Sequence, residues 1–186
     1  MKAFKMCDRL DELICFPSRG KADTFKGLKA ALPPVRPTNP REPAIPLERI
    51  PGTYVDKAYG EMIIYAVDQS SNTRLPQSCQ QVVESDPSLF ADSSTVPTLI
   101  SHFPKFWSTH LVFKHRTGST FTVHSRTVYS ETGATMVAAM PSFDAVFSVE
   151  GMTFARGAWE AGAGVKPREW KEDKLKESAE VWFDKR

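Results

Sequence analysis

Three short patterns in the sequence have the residue types of a nucleophilic serine site. Ser18 to Lys21 spells Ser-x-x-Lys, Ser70 to Asn72 spells Ser-x-Asn, and Arg116 to Gly118 approximates Lys-Thr-Gly. Enzymes that acylate a serine use motifs of these kinds in this order. The chemistry needs the serine at the start of a buried helix, because the lysine one turn later must share its face to take its proton.

The surroundings of these patterns argue against catalysis. Ser18 directly follows Pro17 and Lys21 follows a glycine, in a basic segment that has no apolar helix to bury. The second pattern lies in a polar turn and the third in a predicted hairpin turn. Such degenerate patterns arise by chance in a chain with this much serine and lysine. We therefore predict no catalytic residue, and we expect that the chain as it stands is not an enzyme.

The histidines and cysteines lack the paired spacing of a metal site. The chain contains His102, His110, His115 and His124, together with Cys7, Cys15 and Cys79. The last three histidines could approach one another across adjacent strands, but surface positions are the commoner place for strand histidines. Small, partly buried thiols are the expected state of the cysteines. With no phosphate loop or dinucleotide fingerprint either, the sequence predicts no metal and no cofactor.

Composition excludes several classes of partner. The chain has 186 residues and a formal net charge of +2, which provides no basic face for nucleic acid or an anionic membrane surface. The amino-terminal stretch carries Asp8, Arg9, Asp11 and Glu12 where a secretory signal needs an apolar centre. No apolar run approaches the roughly 20 residues of a membrane-spanning helix. As written, the sequence predicts a cytoplasmic protein without a membrane span.

The first part of the chain is predicted to be a leader rather than part of the main fold. Apolar residues recur at helical spacing over Ala3–Ile14, and Thr24–Ala31 could form a second short helix. Seven prolines then fall within residues 33–51, where they remove amide donors and keep the backbone extended. The sequence thus predicts a helical leader over residues 1–32 and a proline-rich linker before a domain that spans residues 52–186.

The rest of the chain is predicted to be antiparallel β structure. The stretch Ile50–Tyr65 has the pattern of an opening hairpin with a turn at Asp56–Gly60. Gln77–Glu84 could be helical or irregular, and Asp86–Phe106, with its three prolines, is predicted to be a long loop with at most short elements around Ser88–Ala91. Further strands are predicted at His110–His115, Thr120–Tyr129, Met136–Met140, Ala145–Val149, Met152–Ala155 and Ala179–Asp184. This rhythm is typical of a meander or a barrel, whose aromatic residues would be mostly core.

Four stretches of sequence carry a resemblance to a known family. They are IPGTYVDKAYG from Ile50, FPKFWSTHLVFKH from Phe103, FSVEGMTF from Phe147 and AEVWFDK from Ala179. Together they resemble the carboxyl-terminal lipocalin-like domain of fungal serine β-lactamase-related hydrolases, the peptidase S12 relatives, over roughly residues 47–185. The resemblance implies a mainly β fold, either a lipocalin-like barrel or a strongly curved sheet. Asp11–Leu13 and the proline-rich linker resemble the junction that follows the catalytic domain in that family.

The same resemblance implies a noncatalytic role. The family's catalytic domain lies upstream of anything present in this chain, so the expected role is that of an accessory domain. Its expected partner is a serine hydrolase catalytic domain or a second copy of itself. Family members are generally secreted and tend to hold a cysteine pair near Tyr65 and Cys79, of which only Cys79 is present here. The alternative is an independent lipocalin-like binder of a small apolar ligand, which requires an interior that aromatic side chains do not fill.

Overall fold

The structure is a computed structural model that describes residues 35–67, 75–105, 108–129, 135–137, 142–155, 174–179 and 181–186. Its strands are β1 (Gly52–Asp56), β2 (Gly60–Ala66), β3 (Thr98–His102), β4 (His110–Thr117), β5 (Thr120–Val128), β6 (Thr135–Val137), β7 (Phe143–Phe147), β8 (Gly151–Ala155) and β9 (Trp182–Lys185). A 3-10 turn covers Leu47–Arg49, and the α-helices are α1 (Gln77–Ser85), α2 (Pro87–Phe90) and α3 (Leu175–Ser178). The predicted leader, Cys7, Cys15 and the first two serine patterns lie outside the described residues.

Eight of these strands close into an antiparallel barrel. Strands β1 to β5 and then β7 to β9 are neighbours in chain order, and β9 pairs with β1 to complete the ring. The short β6 lies along the same edge of β5 as β7, farther towards the end of β5. The prediction of a mainly β, lipocalin-like barrel is confirmed in its closed form. Closure leaves the barrel wall without free strand edges, apart from the edge of β6.

The opening hairpin forms as its sequence predicts, through side-chain chemistry in the turn. The Asp56 carboxylate accepts hydrogen bonds from the amides of Ala58 and Tyr59, each at 2.8 Å. Gly60 ends the turn with a φ of 80°, a conformation that residues with a side chain rarely adopt. This turn fixes the register in which Tyr54 faces Met62 across the pair.

The prediction of a long loop over Asp86–Phe106 is wrong for β3, whereas α2 is the short element expected around Ser88–Ala91. Pro87 begins α2, Pro97 directly precedes β3 and Pro104 follows it, so the prolines mark the ends of elements. Four of the five residues of β3 are buried, on both faces of the sheet. A strand that is buried on both faces has no alternation of apolar and polar residues to reveal it.

Other predicted boundaries shift by a few residues. The strand predicted at Ala145–Val149 is β7, which ends at Phe147 because the next residues turn into β8. Of the predicted strand Met136–Met140, residues 136 and 137 belong to β6 and the rest lie outside the described residues, and the final strand is Trp182–Lys185. Gly151 is the close corner that the sequence indicates, since a Cβ atom there would overlap the Phe183 carbonyl oxygen.

Helix α1 covers the outer face of the barrel beside β3. The sequence left Gln77–Glu84 as either helical or irregular, and the whole stretch is helical. Its buried residues Cys79 and Val82 pack on Ile100 of β3 and Val112 of β4. The interior side chains of the same strands, such as Leu111 and Phe113, point the other way, as the two-residue period of a strand requires. None of the described helices is long and apolar enough to cross a membrane.

Candidate functional site

The barrel interior is filled by side chains of the described residues. Aromatic rings contact one another edge to face along the interior, with centroid separations from 5.0 to 5.9 Å, an arrangement that aromatic pairs favour. One set joins Tyr54, Phe113 and Phe121 to Phe147, and a second runs through Phe103, Phe183, Phe154 and Phe143. The prediction that the aromatic residues are mostly core is confirmed for these positions. These rings lie where a ligand inside the barrel would have to fit.

Two serines place polar groups in the largely apolar interior. Ser101 of β3 and Ser125 of β5 flank Leu111 in the register of the sheet, and all three side chains point inward. Both serines are buried, at 0% and 4% exposed, and neither hydroxyl has a hydrogen-bond partner among the described residues. An unpaired buried hydroxyl costs about 1–3 kcal/mol, so these two groups are the interior positions where a polar ligand atom would be favourable.

The histidines lie on different faces of the barrel wall. His115 points inward, with Nε2 2.9 Å from the Gly118 carbonyl oxygen. His110 and His124 point outward, and the exposed His102 places its ring 4.9 Å from that of His110. The expectation of surface positions is wrong for His110 and His115, which are both buried. His110 is buried because it faces a part of the wall that other segments cover, which the sequence did not reveal.

Ser142 and His124 have the geometry of a catalytic pair but not its electrostatics. The Ser142 hydroxyl lies 3.0 Å from His124 Nδ1. Burial, together with the nearby cations Arg126 and Lys114, lowers the pKa of His124 to about 4. A base that activates serine must become an imidazolium, and these cations disfavour that positive charge. The pair is therefore poorly suited to generate a nucleophile.

The cations on this outer face are paired with carboxylates. Arg126 donates from Nε to Asp86 at 2.8 Å, and Lys114 donates to Asp92 at 2.6 Å. Asp86 also caps α2 by accepting from the Leu89 amide. Burial alone would raise the pKa of Asp86, but hydrogen bonds from Ser88 and Arg126 lower it. We call Lys114, Arg126, Asp86, Asp92 and His124 the covered cluster, because the segments around α1 and α2 pack over it.

Cys79 is a structural residue by its surroundings. The thiol is fully buried, where the sequence predicts partial burial, and burial raises its pKa to about 11. It belongs to the same apolar cluster as Tyr65, the residue near which the resembling family holds a second cysteine. Since the thiolate is the reactive form, such a thiol is unreactive at neutral pH. Within the part of the chain that the structure describes, no three His, Cys, Asp or Glu residues converge as metal ligands.

The end of the barrel where β1 begins is plugged by the second half of the proline-rich linker. Ile45 and Ile50 bury their side chains in the interior cluster. The Tyr54 hydroxyl donates to the Ile50 carbonyl oxygen at 2.6 Å, and Lys185 of the last strand donates to the same oxygen at 3.2 Å. The Lys185 ammonium also lies 5.4 Å from the centre of the Tyr54 ring. These contacts tie the linker, the first strand and the last strand together.

The Arg-Thr-Gly pattern helps to hold the linker rather than a substrate. Gly118 donates its amide to the Arg41 carbonyl at 2.7 Å, and Arg41 donates its own amide to the Thr117 hydroxyl at 3.0 Å. Arg116 pairs with Asp144 at 2.6 Å. The pattern therefore occupies the hairpin turn that the sequence predicts for it, and its polar groups are engaged in the fold.

Beside the plug lies a partly open groove of about 490 Å³, which we call the linker groove. Ile45, Ile50 and Tyr54 lie at its base but are themselves buried, so Val149 provides exposed apolar surface, and Arg49 and Lys185 also line the groove. Val149, at the β7–β8 turn, is 73% exposed. Among the described residues neither cation has a carboxylate partner. Burial and the neighbouring Arg49 lower the pKa of Lys185, since two positive charges approach each other here.

No family model, curated protein or solved structure matches this chain. The chemistry of the three regions described above is therefore the basis for a functional proposal. The interior is lined by aromatic side chains, the covered cluster is internally paired, and the linker groove carries two cations that have no carboxylate partner among the described residues.

Proposed function

We propose that this chain is a noncatalytic interaction domain, which uses the plugged end of its barrel to bind a polypeptide partner. The linker groove is the observation that carries the proposal, because it combines an apolar floor with two cations that lack carboxylate partners among the described residues. The resemblance supports the same role, since it implies an accessory domain that packs against a serine hydrolase catalytic domain or a second copy of itself.

The noncatalytic part of the proposal is tested with reagents that report a nucleophilic serine. The purified chain is incubated with a chromogenic β-lactam, a p-nitrophenyl ester and a serine-reactive fluorophosphonate. We expect neither turnover nor labelling, because the Ser142 and His124 pair lacks a sufficiently basic imidazole. Robust labelling at Ser18 or Ser142, abolished by the matching serine-to-alanine variant, would show that the chain is an enzyme.

The interaction part is tested by sedimentation velocity. The chain is measured alone over a range of concentrations, and then with a catalytic domain of a fungal β-lactamase-related hydrolase produced without its own barrel. We expect a complex in one of the two experiments, and we expect Val149→Asp to weaken it because this change places a charge on the groove rim. Arg41→Ala is the matched control, since the Arg41 side chain is exposed and lies outside the groove lining. A monomer under all of these conditions contradicts the proposal.

A second candidate is the small apolar-ligand binder, which the two interior serines favour. The test is fluorescence enhancement of a fatty-acid probe, measured with the chain and with the double variant Ser101→Ala, Ser125→Ala. Saturable binding that is lost in the double variant would support a ligand inside the barrel. Equal binding to heat-unfolded protein would exclude this candidate. We expect no saturable binding, because the aromatic rings fill the interior.

A further inference from the structure

The apolar part of the linker groove needs an apolar group from its occupant. Ile45 and Ile50 form a floor that is anchored in the barrel core, so the floor does not open into the interior. Val149 stands at the rim as an exposed side chain. Burial of an aliphatic side chain against another stabilises a complex, so an apolar side chain of the partner is suited to this part of the groove.

The charged part of the groove needs a negative group. Arg49 is exposed, and none of its side-chain donors is used by a described residue. Lys185 donates one hydrogen bond to the Ile50 carbonyl oxygen, and its ammonium group has further N–H donors. The nearby Asp184 does not neutralise either cation, because its carboxylate is bound by Lys176 at 2.6 Å and by the Trp182 indole at 2.9 Å. A carboxylate placed between Arg49 and Lys185 would therefore gain charge-assisted hydrogen bonds.

The shape of the groove favours a polypeptide over a small molecule. Small-ligand sites usually enclose most of the ligand surface, whereas this groove is open on its outer side and closed below by the plug. Pro46 and Pro51 lie along its wall and offer no amide hydrogen, so recognition by adding a strand is disfavoured there. Side chains and charge, rather than backbone pairing, must then provide the affinity.

We propose that the linker groove binds a polypeptide segment in which an apolar side chain lies next to a carboxylate. This inference rests on the proposed interaction function and names the chemistry of its partner. The apolar side chain contacts the exposed Val149 above the buried base of the groove, and the carboxylate lies between Arg49 and Lys185. The polypeptide remains solvated on its outer side.

The test uses two bead-displayed pools of random hexapeptides, one with a fixed central glutamate and one with glutamine in its place. The full chain is the probe, and affinities of the selected peptides are measured by fluorescence anisotropy. We expect the glutamate pool alone to be enriched, with an apolar residue beside the glutamate. Arg49→Ala should weaken binding about tenfold, which corresponds to one charge-assisted hydrogen-bonded contact. Val149→Asp should weaken it further, while Arg41→Ala should leave it within about twofold of the parent chain.

Several outcomes would overturn this partner chemistry. They are equal enrichment of the glutamine pool, affinities that Arg49→Ala leaves unchanged, and saturable binding of dodecanoate at Arg49 without any peptide enrichment. Arg49, Val149 and Arg41 are exposed, so thermal unfolding should confirm that each variant is folded. If the sedimentation complex forms but is insensitive to Arg49→Ala, only the partner chemistry fails. If no complex forms at all, the proposed function fails with it.

Discussion

The covered cluster and the linker groove both place two cations beside apolar side chains, but they differ in what neutralises those cations. Lys114 and Arg126 of the covered cluster are each bound by a carboxylate of a segment packed over the barrel wall. Arg49 and Lys185 of the linker groove have no carboxylate partner among the described residues. The described residues complete the first arrangement by themselves, and we propose that a partner completes the second. Pairing, rather than composition, separates a structural polar site from a candidate binding site.

The largest effect is expected when the covered cluster is broken at Asp86. Asp86→Ala removes the cap of α2 and leaves Arg126, whose side chain is only 9% exposed, without its carboxylate. We expect the free energy of unfolding to fall by about 2–3 kcal/mol in urea titrations. Glu84→Ala, at an exposed position of α1, is the control and should change stability little. A loss below about 0.5 kcal/mol for Asp86→Ala would mean that the covered cluster does not contribute to the stability of the fold.

The covered face should also make stability depend on pH. Burial lowers the pKa of both His110 and His124 to about 4, below the value of about 6.5 expected in the unfolded chain. The unfolded state therefore binds more protons between these values, and stability is lost as the pH falls from about 6.5 to about 4. We expect a total loss of roughly 1–3 kcal/mol after solvent screening.

This pH dependence is measured by urea unfolding at closely spaced pH values. The double variant His110→Gln, His124→Gln should flatten the profile in this range. Peptide binding at the linker groove should not follow the same profile, because no histidine lines the groove. A profile that stays unchanged in the double variant would assign the pH dependence to other groups.

A smaller effect is expected at Lys185, where the groove and the plug share a residue. Lys185→Met removes the hydrogen bond to the Ile50 carbonyl and the contact with the Tyr54 ring. We expect a loss of about 1–2 kcal/mol in the free energy of unfolding, measured in urea. Lys57→Met, at an exposed turn position, is a suitable control. No loss in Lys185→Met would show that Lys185 does not hold the plug in place.

The smallest effect on stability is expected at Arg49, although its effect on binding should be large. Arg49→Ala removes an exposed cation that forms no ion pair with a described residue, so the free energy of unfolding should stay within about 0.5 kcal/mol of the parent value. A loss as large as that of Asp86→Ala would mean that Arg49 is a structural residue. The contrast between covered cluster and linker groove would then be wrong.

The sequence predicts those parts of the fold that rest on local signals. The β1–β2 and β4–β5 hairpins are predicted because turn residues such as Asp56 and Gly118 stand between strands with readable patterns. Strand β3 escapes prediction because it is buried on both faces and flanked by prolines. The surface position predicted for His110 is wrong because the burial of this residue depends on segments distant in the chain.

The candidate site depends on contacts that no local pattern encodes. Lys185 and the Ile50 carbonyl oxygen that it binds are separated by 135 positions in the chain. The sequence offered one indirect signal for this contact. The first stretch of the family resemblance starts at Ile50 and the last ends at Lys185, and the strands of these two stretches pair as β1 and β9. Nothing in the sequence shows that Arg49 lacks a carboxylate partner, because pairing is a property of the folded chain.

The most direct test of this account is a double-mutant cycle between Arg49 and the glutamate of a selected peptide. Affinities are measured for the parent chain and Arg49→Ala, each with the glutamate peptide and with its glutamine version. If the carboxylate lies against Arg49, the two changes are not additive, and we predict a coupling energy of at least about 1 kcal/mol. Additive effects, with a coupling near zero, would contradict the claim that a partner's carboxylate completes the linker groove.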